Sequence, residues 1–250
     1  MIPESTGPVR VLYDDDDIIV IDKPPGMLTH TNSFERSSPT VITVLGSRFR
    51  QSIMNVHRLD RMTTGAMVLA RNRSAAAELS RQFREREVAK SYLAIVRGHI
   101  DESGVIDTPI PNPVHGEQMH ARTDYRRLAS GVVDEPIGRY GEGWFSLVAL
   151  SLHTGRIHQA RRHLHRISHP VIGDNRHGDK EWNRWAAART GERHLYLRAC
   201  ELSFDHPAHE TRVSVRLGLP ELWIGFMARI GIQVPPELVR ESAVCQHGRR

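Results

Sequence analysis

Residues 55–72 read NVHRLDRMTTGAMVLARN. A single carboxylate, Asp60, sits between Arg58 and Arg61; a Thr-Thr-Gly turn follows, and short apolar runs lie on either side. The runs Asn55 to Leu59 and Ala66 to Ala70 have strand character, which puts Asp60 in the connection between two strands. Two readings compete for it. A surface ion pair with a neighbouring arginine is common and contributes little. A catalytic carboxylate held ionised by a guanidinium has the same local composition, because a nearby opposite charge favours the charged form. The rest of the chain has to decide.

With 250 residues, 39% hydrophobic and 25% charged, the chain has the balance of a globular protein with a sizeable core. Its longest apolar run, Ala66 to Ala70, is far too short for a bilayer. The opening MIPESTGPVR lacks the basic start and apolar stretch of a secretory leader. The two cysteines, Cys200 and Cys245, are too few for a disulfide framework or a cysteine-rich zinc site, so a reducing cytoplasm is expected.

Charge is more informative. The net charge is +5 and the isoelectric point about 9.6, but the excess is uneven. Residues 1–40 carry three basic and seven acidic side chains, whereas 47–90 and 153–198 each carry ten basic and four acidic. Two basic blocks far apart in sequence can converge on one face, the footprint of a polyanion, and nucleic acid is the expected partner class.

Along the chain, residues 9–22 read as two short strands around an acidic turn. KPPGMLTH (23–30) breaks regular structure with its prolines and glycine. A short helix is expected within 33–52. A second, with Ser74 as N-cap, should run to about Val88 with Ala76, Leu79 and Phe83 inward. KSYLAIVRG (90–98) alternates like a strand. Residues 101–143 read as connecting structure with one strand near ARTDYRRLA (121–129). WFSLVALSL (144–152) is another strand, ending at HTGR. The following helix has Ile157, Ala160, Leu164 and Ile167 at helical spacing and must stop near Ser168, ahead of Pro170. LYLRACELSFDH (195–206) and RVSVRLGLP (212–220) read as a strand pair, and the terminal QHGRR as frayed. Strands outnumber helices and no linker separates domains, so a single α+β domain around a mixed sheet is expected.

Three constellations carry chemistry: Asp60 with Arg58 and Arg61; the helix HTGRIHQARRHLHRISHP (153–170), with His158, Arg162 and His165 along its polar face; and Tyr92 on its strand. The helix is dense in histidine (His153, His158, His163, His165, His169), which invites a metal reading. The His-Glu-x-x-His pattern of helical zinc hydrolases is absent, and no carboxylate occurs from 153 to 173. Capping or phosphate-facing roles are expected instead, with no metal.

These residues also carry a resemblance. HRLDRMTTG (57–65) resembles the H-R-L-D-x-x-T-S-G signature of the A-type pseudouridine synthases, the class named for enzymes of the large ribosomal RNA. GRIHQARRHLHRISHPVIGDNRHG (155–178) resembles their G-R-x-H-Q-I-R-x-H-L…G-H-P-I-x-G-D signature. DDDDIIVIDKPPGMLTH (14–30) is similar to the family's opening and KSYLAIVRG to its K-x-Y-x-A-I-V-x-G strand. The matches run in order over about 9–218, and the spacing GDNRHGDKEWNR (173–184) is similar to the members that act on tRNA. Thr64, Ala160 and Arg198 depart from the usual residues, and none of these removes a catalytic group.

The resemblance implies an α+β catalytic domain over 9–234, built on a mixed, mainly antiparallel sheet with flanking helices and a central cleft, and terminal extensions at 1–8 and 235–250. It implies conversion of a uridine of tRNA to pseudouridine, with ribosomal RNA as the alternative substrate, no cofactor and no obligate protein or membrane partner. Asp60 would be the nucleophile on a flipped-out nucleotide, Arg156 its partner, and Tyr92 the ring against the uracil. His57, Arg58, Thr64 and Leu197 would contact substrate or RNA. Two other classes remain as contrasts, a metal-dependent phosphoesterase and an RNA-binding module without turnover.

Overall fold

The computed structural model describes residues 9–30, 38–239 and 242–248. In chain order the strands and helices begin β1 (Arg10–Asp14), β2 (Ile18–Lys23), α1 (Val41–Phe49), β3 (Met54–Asn55), β4 (Thr64–Ala70) and α2 (Arg73–Glu85). Then come β5 (Ala89–Arg97), β6 (Ser103–Asp107), β7 (Ile110–Pro111), β8 (Gln118–Met119), β9 (Arg122–Val133) and β10 (Gly143–Leu152). The chain continues with α3 (Gln159–Arg166), α4 (Lys180–Thr190), β11 (Leu197–Asp205), β12 (Thr211–Arg216), α5 (Glu221–Arg229) and β13 (Ala243–Gly248). The fold is α+β. The chain forms two compact units, each assembled from separate segments: residues 1–90, 199–217 and 242–250 in the first, 91–198 and 218–241 in the second.

In the first unit the sheet order is β1-β2-β4-β11, with β3 against β4 and β12 and β13 continuing from β11. Ile18 pairs with Ala70 and Lys23 with Gly65 in the antiparallel β2–β4 register, which runs all of β2 alongside the strand leaving Asp60. Every residue of β4 is buried. Ile18, Val68, Leu79, Phe204 and Val213 form the centre of this core, each contributing roughly 1.5–3 kcal/mol by its burial. Gly65 is required by two independent constraints. Its φ is +117°, and a Cβ there would lie 2.2 Å from the Ala199 carbonyl oxygen.

In the second unit the order is β5-β10-β9-β6, with the small β7–β8 pair apart. Phe145 of β10 packs against Trp182 and Trp185 of α4 and against Phe226 of α5. Tyr196 stacks on Phe226. Trp182 and Trp185 are therefore core residues.

Several local expectations need correction. Residues 56–59 are loop, since only Met54 and Asn55 pair with β4; the Leu59 carbonyl goes to the Thr29 hydroxyl instead of a strand. The second helix is capped by Asn72, whose side chain accepts from the Ala75 N–H, and it ends at Glu85. Residues 101–143 hold four strands where one was expected. Ile157 is exposed and precedes α3, whose N-cap is His158 in left-handed backbone (φ 55°). Residues 246–248 are not frayed, because they pair with β12; residues 31–37 and 249–250, which fall within expected segments, lie outside the described residues.

Gly65→Ala should lower the unfolding free energy by about 2–4 kcal/mol, since strain in φ adds to a clash with rigid backbone. Urea denaturation measures this, and an unchanged midpoint would mean the β4–β11 contact is softer than the 2.2 Å approach requires.

Candidate active site

Asp60 is half-buried on the loop between β3 and β4. The loop is closed by the Thr63 N–H donating to the Asp60 carbonyl at 3.0 Å. Its anchor is Lys23, the last residue of β2, which is completely buried. Lys23 Nζ donates to the carbonyls of Pro24 (2.9 Å), Arg61 (2.9 Å) and Thr63 (3.0 Å). Three carbonyl acceptors match the three protons of an ammonium group. Burial pushes the Lys23 amine down to about 7, against the pull of the Asp60 charge that favours its charged form. Arg61, beside the acid, donates from Nε to the Gly26 carbonyl at 2.9 Å, so its guanidinium ties the loop to the segment after β2.

The hydroxyls of Thr63 and Thr64 are buried, and neither has a hydrogen-bond partner among the described residues. Buried hydroxyls are ordinarily satisfied. Arg58 is exposed. His57 turns inward: its Nε2 accepts from the Val68 N–H at 3.1 Å, and its ring stacks on Phe83 at 4.4 Å. Burial, helped by the Lys90 charge, lowers the imidazole to about 3, so it is neutral at ordinary pH.

In the second unit Tyr92 lies on β5 opposite Leu150 of β10. The turn after β10 is organised by the buried Gln159. Its Oε1 accepts from the Thr154 hydroxyl (2.6 Å) and the Arg156 N–H (3.1 Å), and its Nε2 donates to the Arg122 carbonyl and the Thr123 hydroxyl, both 3.0 Å. Arg156, half-buried, donates from Nε to the His120 carbonyl at 3.1 Å. Leu197 begins β11 and is buried, as is Leu195.

The histidine-rich helix is held by polar contacts. His163 bonds Thr123 Oγ1 (2.9 Å) and the Thr108 carbonyl (3.0 Å), while His158 Nδ1 meets His177 Nε2 at 3.0 Å. Arg162 reaches the Pro111 carbonyl, and the His165 ring lies 6.5 Å from that of His177. Burial is the main cause that brings His177 down to about 4. Arg161 forms a buried bidentate pair with Asp174, Nε to Oδ2 and Nη2 to Oδ1, both 2.7 Å. Burial alone would raise the Asp174 carboxyl, but the Arg161 guanidinium and the N–H groups of Arg176 and His177 outweigh it and hold it low.

Of the expected residues, Asp60, His57, Arg58 and Thr64 belong to the first unit and Tyr92, Arg156 and Leu197 to the second. Lys23, Thr63, Gln159 and the Arg161–Asp174 pair were not singled out from sequence. All five residues lie inside the motifs given above, and only their burial and partners reveal what they do.

The fold is α+β, and the relatives give the class of enzyme. Residues 17–166 match the RNA pseudouridylate synthase family, and the chain belongs to it. It is an RNA pseudouridine synthase, an isomerase. The tRNA pseudouridine synthase C of Haemophilus ducreyi is 37% identical over 225 residues, which is 85% of this chain and 92% of that protein. The enzyme of the same name from Yersinia pestis is 34% identical over 244 residues, 93% and 95% of the two chains. Among solved structures, human RNA pseudouridylate synthase domain containing 1 aligns with a TM-score of 0.70 at 26% identity, covering 93% of this chain and 92% of its own. No helix among the described residues is long and apolar enough to cross a membrane.

His57 makes a pH prediction. Its folded pKa lies below the unfolded value, so on acidification from about 6.5 towards 3 the unfolded imidazole takes up a proton that the folded one refuses, and stability is lost across that window. In His57→Gln, the urea midpoint should fall less steeply between those pH values than in wild type. Parallel profiles would show that the ring protonates without cost.

Proposed function

We propose that this enzyme converts a uridine of tRNA to pseudouridine, with Asp60 as the nucleophile. The observation that carries this is the Asp60 loop itself, whose neighbouring carbonyls at Arg61 and Thr63 are fixed by one buried ammonium. Catalysis by a positioned nucleophile requires a carboxylate held in one place before substrate arrives. The tRNA substrate is supported by the relatives named tRNA pseudouridine synthase C, and with it a cytoplasmic location.

The chemistry is an isomerisation that needs no oxidant, and the C5 hydrogen is lost to water. Asp60 adds to C6 of the base or displaces the uracil at C1′ of the ribose, the bond from N1 to C1′ breaks, and the uracil turns. C5 then joins C1′, the Asp60 C–O bond breaks to return the free carboxylate, the C5 proton leaves to water, and N1 takes a proton. The nucleotide must first leave the stack, at a cost of about a few kcal/mol. Tyr92 faces the uracil, contributing roughly 1–3 kcal/mol by stacking, and its hydroxyl helps remove the C5 proton. Leu197 packs on the opposite side. Arg156 keeps Asp60 ionised and oriented. Arg58, two residues before the acid, contacts the RNA, and His57 acts by packing beneath it. The unsatisfied hydroxyls of Thr63 and Thr64 are suited to a bound nucleotide, which would supply the partners that the protein does not. Residues 9–234 would form the catalytic domain.

Tritium release from RNA labelled at uridine C5 tests this. Unmodified tRNA should release tritium and ribosomal RNA should not. Asp60→Asn should lose at least about three orders of magnitude in rate while binding RNA within a few-fold of wild type. Tyr92→Phe should be slower by about 10- to 100-fold, the ordinary share of one proton-transfer group. Release from ribosomal RNA alone would keep the reaction and overturn the substrate. Full release by Asp60→Asn would overturn the nucleophile.

A further inference from the structure

A second cluster of side chains lies in the first unit, away from the Asp60 loop in sequence and unused by the isomerisation. Asp17 closes the acidic turn between β1 and β2; His206 and His209 belong to the turn between β11 and β12. Each of the three places one ligand atom within 4.8 Å of the other two. His206 is buried, Asp17 half-buried and His209 exposed. The two imidazoles lie face to face, 4.4 Å apart and 20° from parallel.

A second observation separates this cluster from a chance gathering. His206 Nε2 is bonded to Asp15 Oδ2 at 2.8 Å. That carboxylate is itself fixed, accepting from the Tyr13 hydroxyl at 2.5 Å and from the N–H groups of Asp17 and Ile18 at 2.8 Å each. Gln246 Nε2 in turn donates to the Tyr13 hydroxyl at 2.8 Å. An aspartate in this position accepts from Nε2–H and leaves Nδ1 as the unprotonated nitrogen, the arrangement in which a carboxylate behind a histidine orients it and raises its basicity toward a metal. That Nδ1 accepts a hydrogen bond from the Ala208 N–H at 3.2 Å, which a cation has to replace. Asp17 is anchored from behind in the same way, its Oδ1 accepting from Asn72 Nδ2 at 2.7 Å.

We infer that Asp17, His206 and His209 form a binding site for a borderline divalent cation, Zn2+ being the ion that two imidazoles and one carboxylate fit best. Such a donor set binds poorly to Mg2+, which demands oxygen ligands and keeps its waters. Zinc bonds of about 2.0–2.1 Å put ligand atoms about 3.4 Å apart in a tetrahedron. The cluster has to contract by roughly an ångström, and the exposed His209 is the side chain able to move. The fourth position is left to water. The bound ion would clip the β1–β2 turn to the β11–β12 turn, nearly 190 residues later in the chain. Its role is structural, with no part in the reaction at Asp60.

Calorimetric titration of the untagged full-length protein with ZnCl2, paired with thermal unfolding, tests the site. One saturable Zn2+ site is expected, with a rise in Tm of several degrees at saturation and none with MgCl2. His209→Ala and Asp17→Asn, both outside the buried core, should each weaken Zn2+ binding by about tenfold or more and abolish the Tm rise. Both should retain wild-type tritium release without added metal, which shows that they are folded. Absence of saturable binding in the wild type would overturn the inference. So would Zn2+ binding that persists undiminished in His209→Ala, because the ion would then sit on the histidines of 158–177.

Discussion

The geometry around Asp60 depends on one buried cation. Lys23 has no access to solvent, and its ammonium bridges the end of β2 to two carbonyls of the loop that carries the acid. Burying an isolated charge is costly; three hydrogen bonds and the Asp60 charge close by recover part of that cost, and burial still brings the amine down to about 7. The same arrangement fixes the loop. Arg61 and Thr63 cannot rotate their peptide groups without breaking a bond to a buried donor, so Asp60, covalently joined to Arg61 and Leu59, has little freedom left. Gly65 completes the constraint, letting β4 start at Thr64 and pass within contact of Ala199.

The second unit uses the same strategy with different groups. Gln159 makes four hydrogen bonds through its side-chain amide within the turn that carries Arg156. His163 spans α3 to Thr123 and Thr108, and Arg161 locks α3 to the 174–178 turn through Asp174. Fully satisfied buried polar networks specify one arrangement where apolar packing alone tolerates several. Hence these motif residues are polar though buried. They hold the turn that carries Arg156, and His158 bonds His177 beside it.

Much of this was legible beforehand, and the parts that were not have physical reasons. The strands β2, β4, β5 and β10 read clearly because both faces are largely apolar. The β11–β12 pair read clearly because apolar and polar residues alternate over Cys200–Asp205 and along β12. The strand β9 was legible near 121–129, whereas β6, β7 and β8 escaped because they are short and β6 and β8 are largely exposed. The β13 strand escaped because, after the core is complete, an edge strand needs only backbone pairing. Ser74 and Asn72 are both good N-caps, and the backbone chose Asn72. Asp60 stood out as a lone acid among arginines in a specific motif. Lys23 did not, because a lysine beside two prolines reads as a surface residue until its three carbonyl partners are seen. Trp182 and Trp185 gave no sign of their role in sequence, and their burial puts both in the core.

The central claim is that the Lys23 clamp places Asp60 for reaction. It is tested most directly by single-turnover kinetics of Lys23→Met with saturating unmodified tRNA, at a temperature where circular dichroism shows the variant folded. The account predicts a rate at least about tenfold below wild type, because a loosened nucleophile loses orientation, with the Kd for tRNA changed by no more than about twofold. A wild-type rate in folded Lys23→Met would contradict it and leave Asp60 positioned by something other than the buried ammonium.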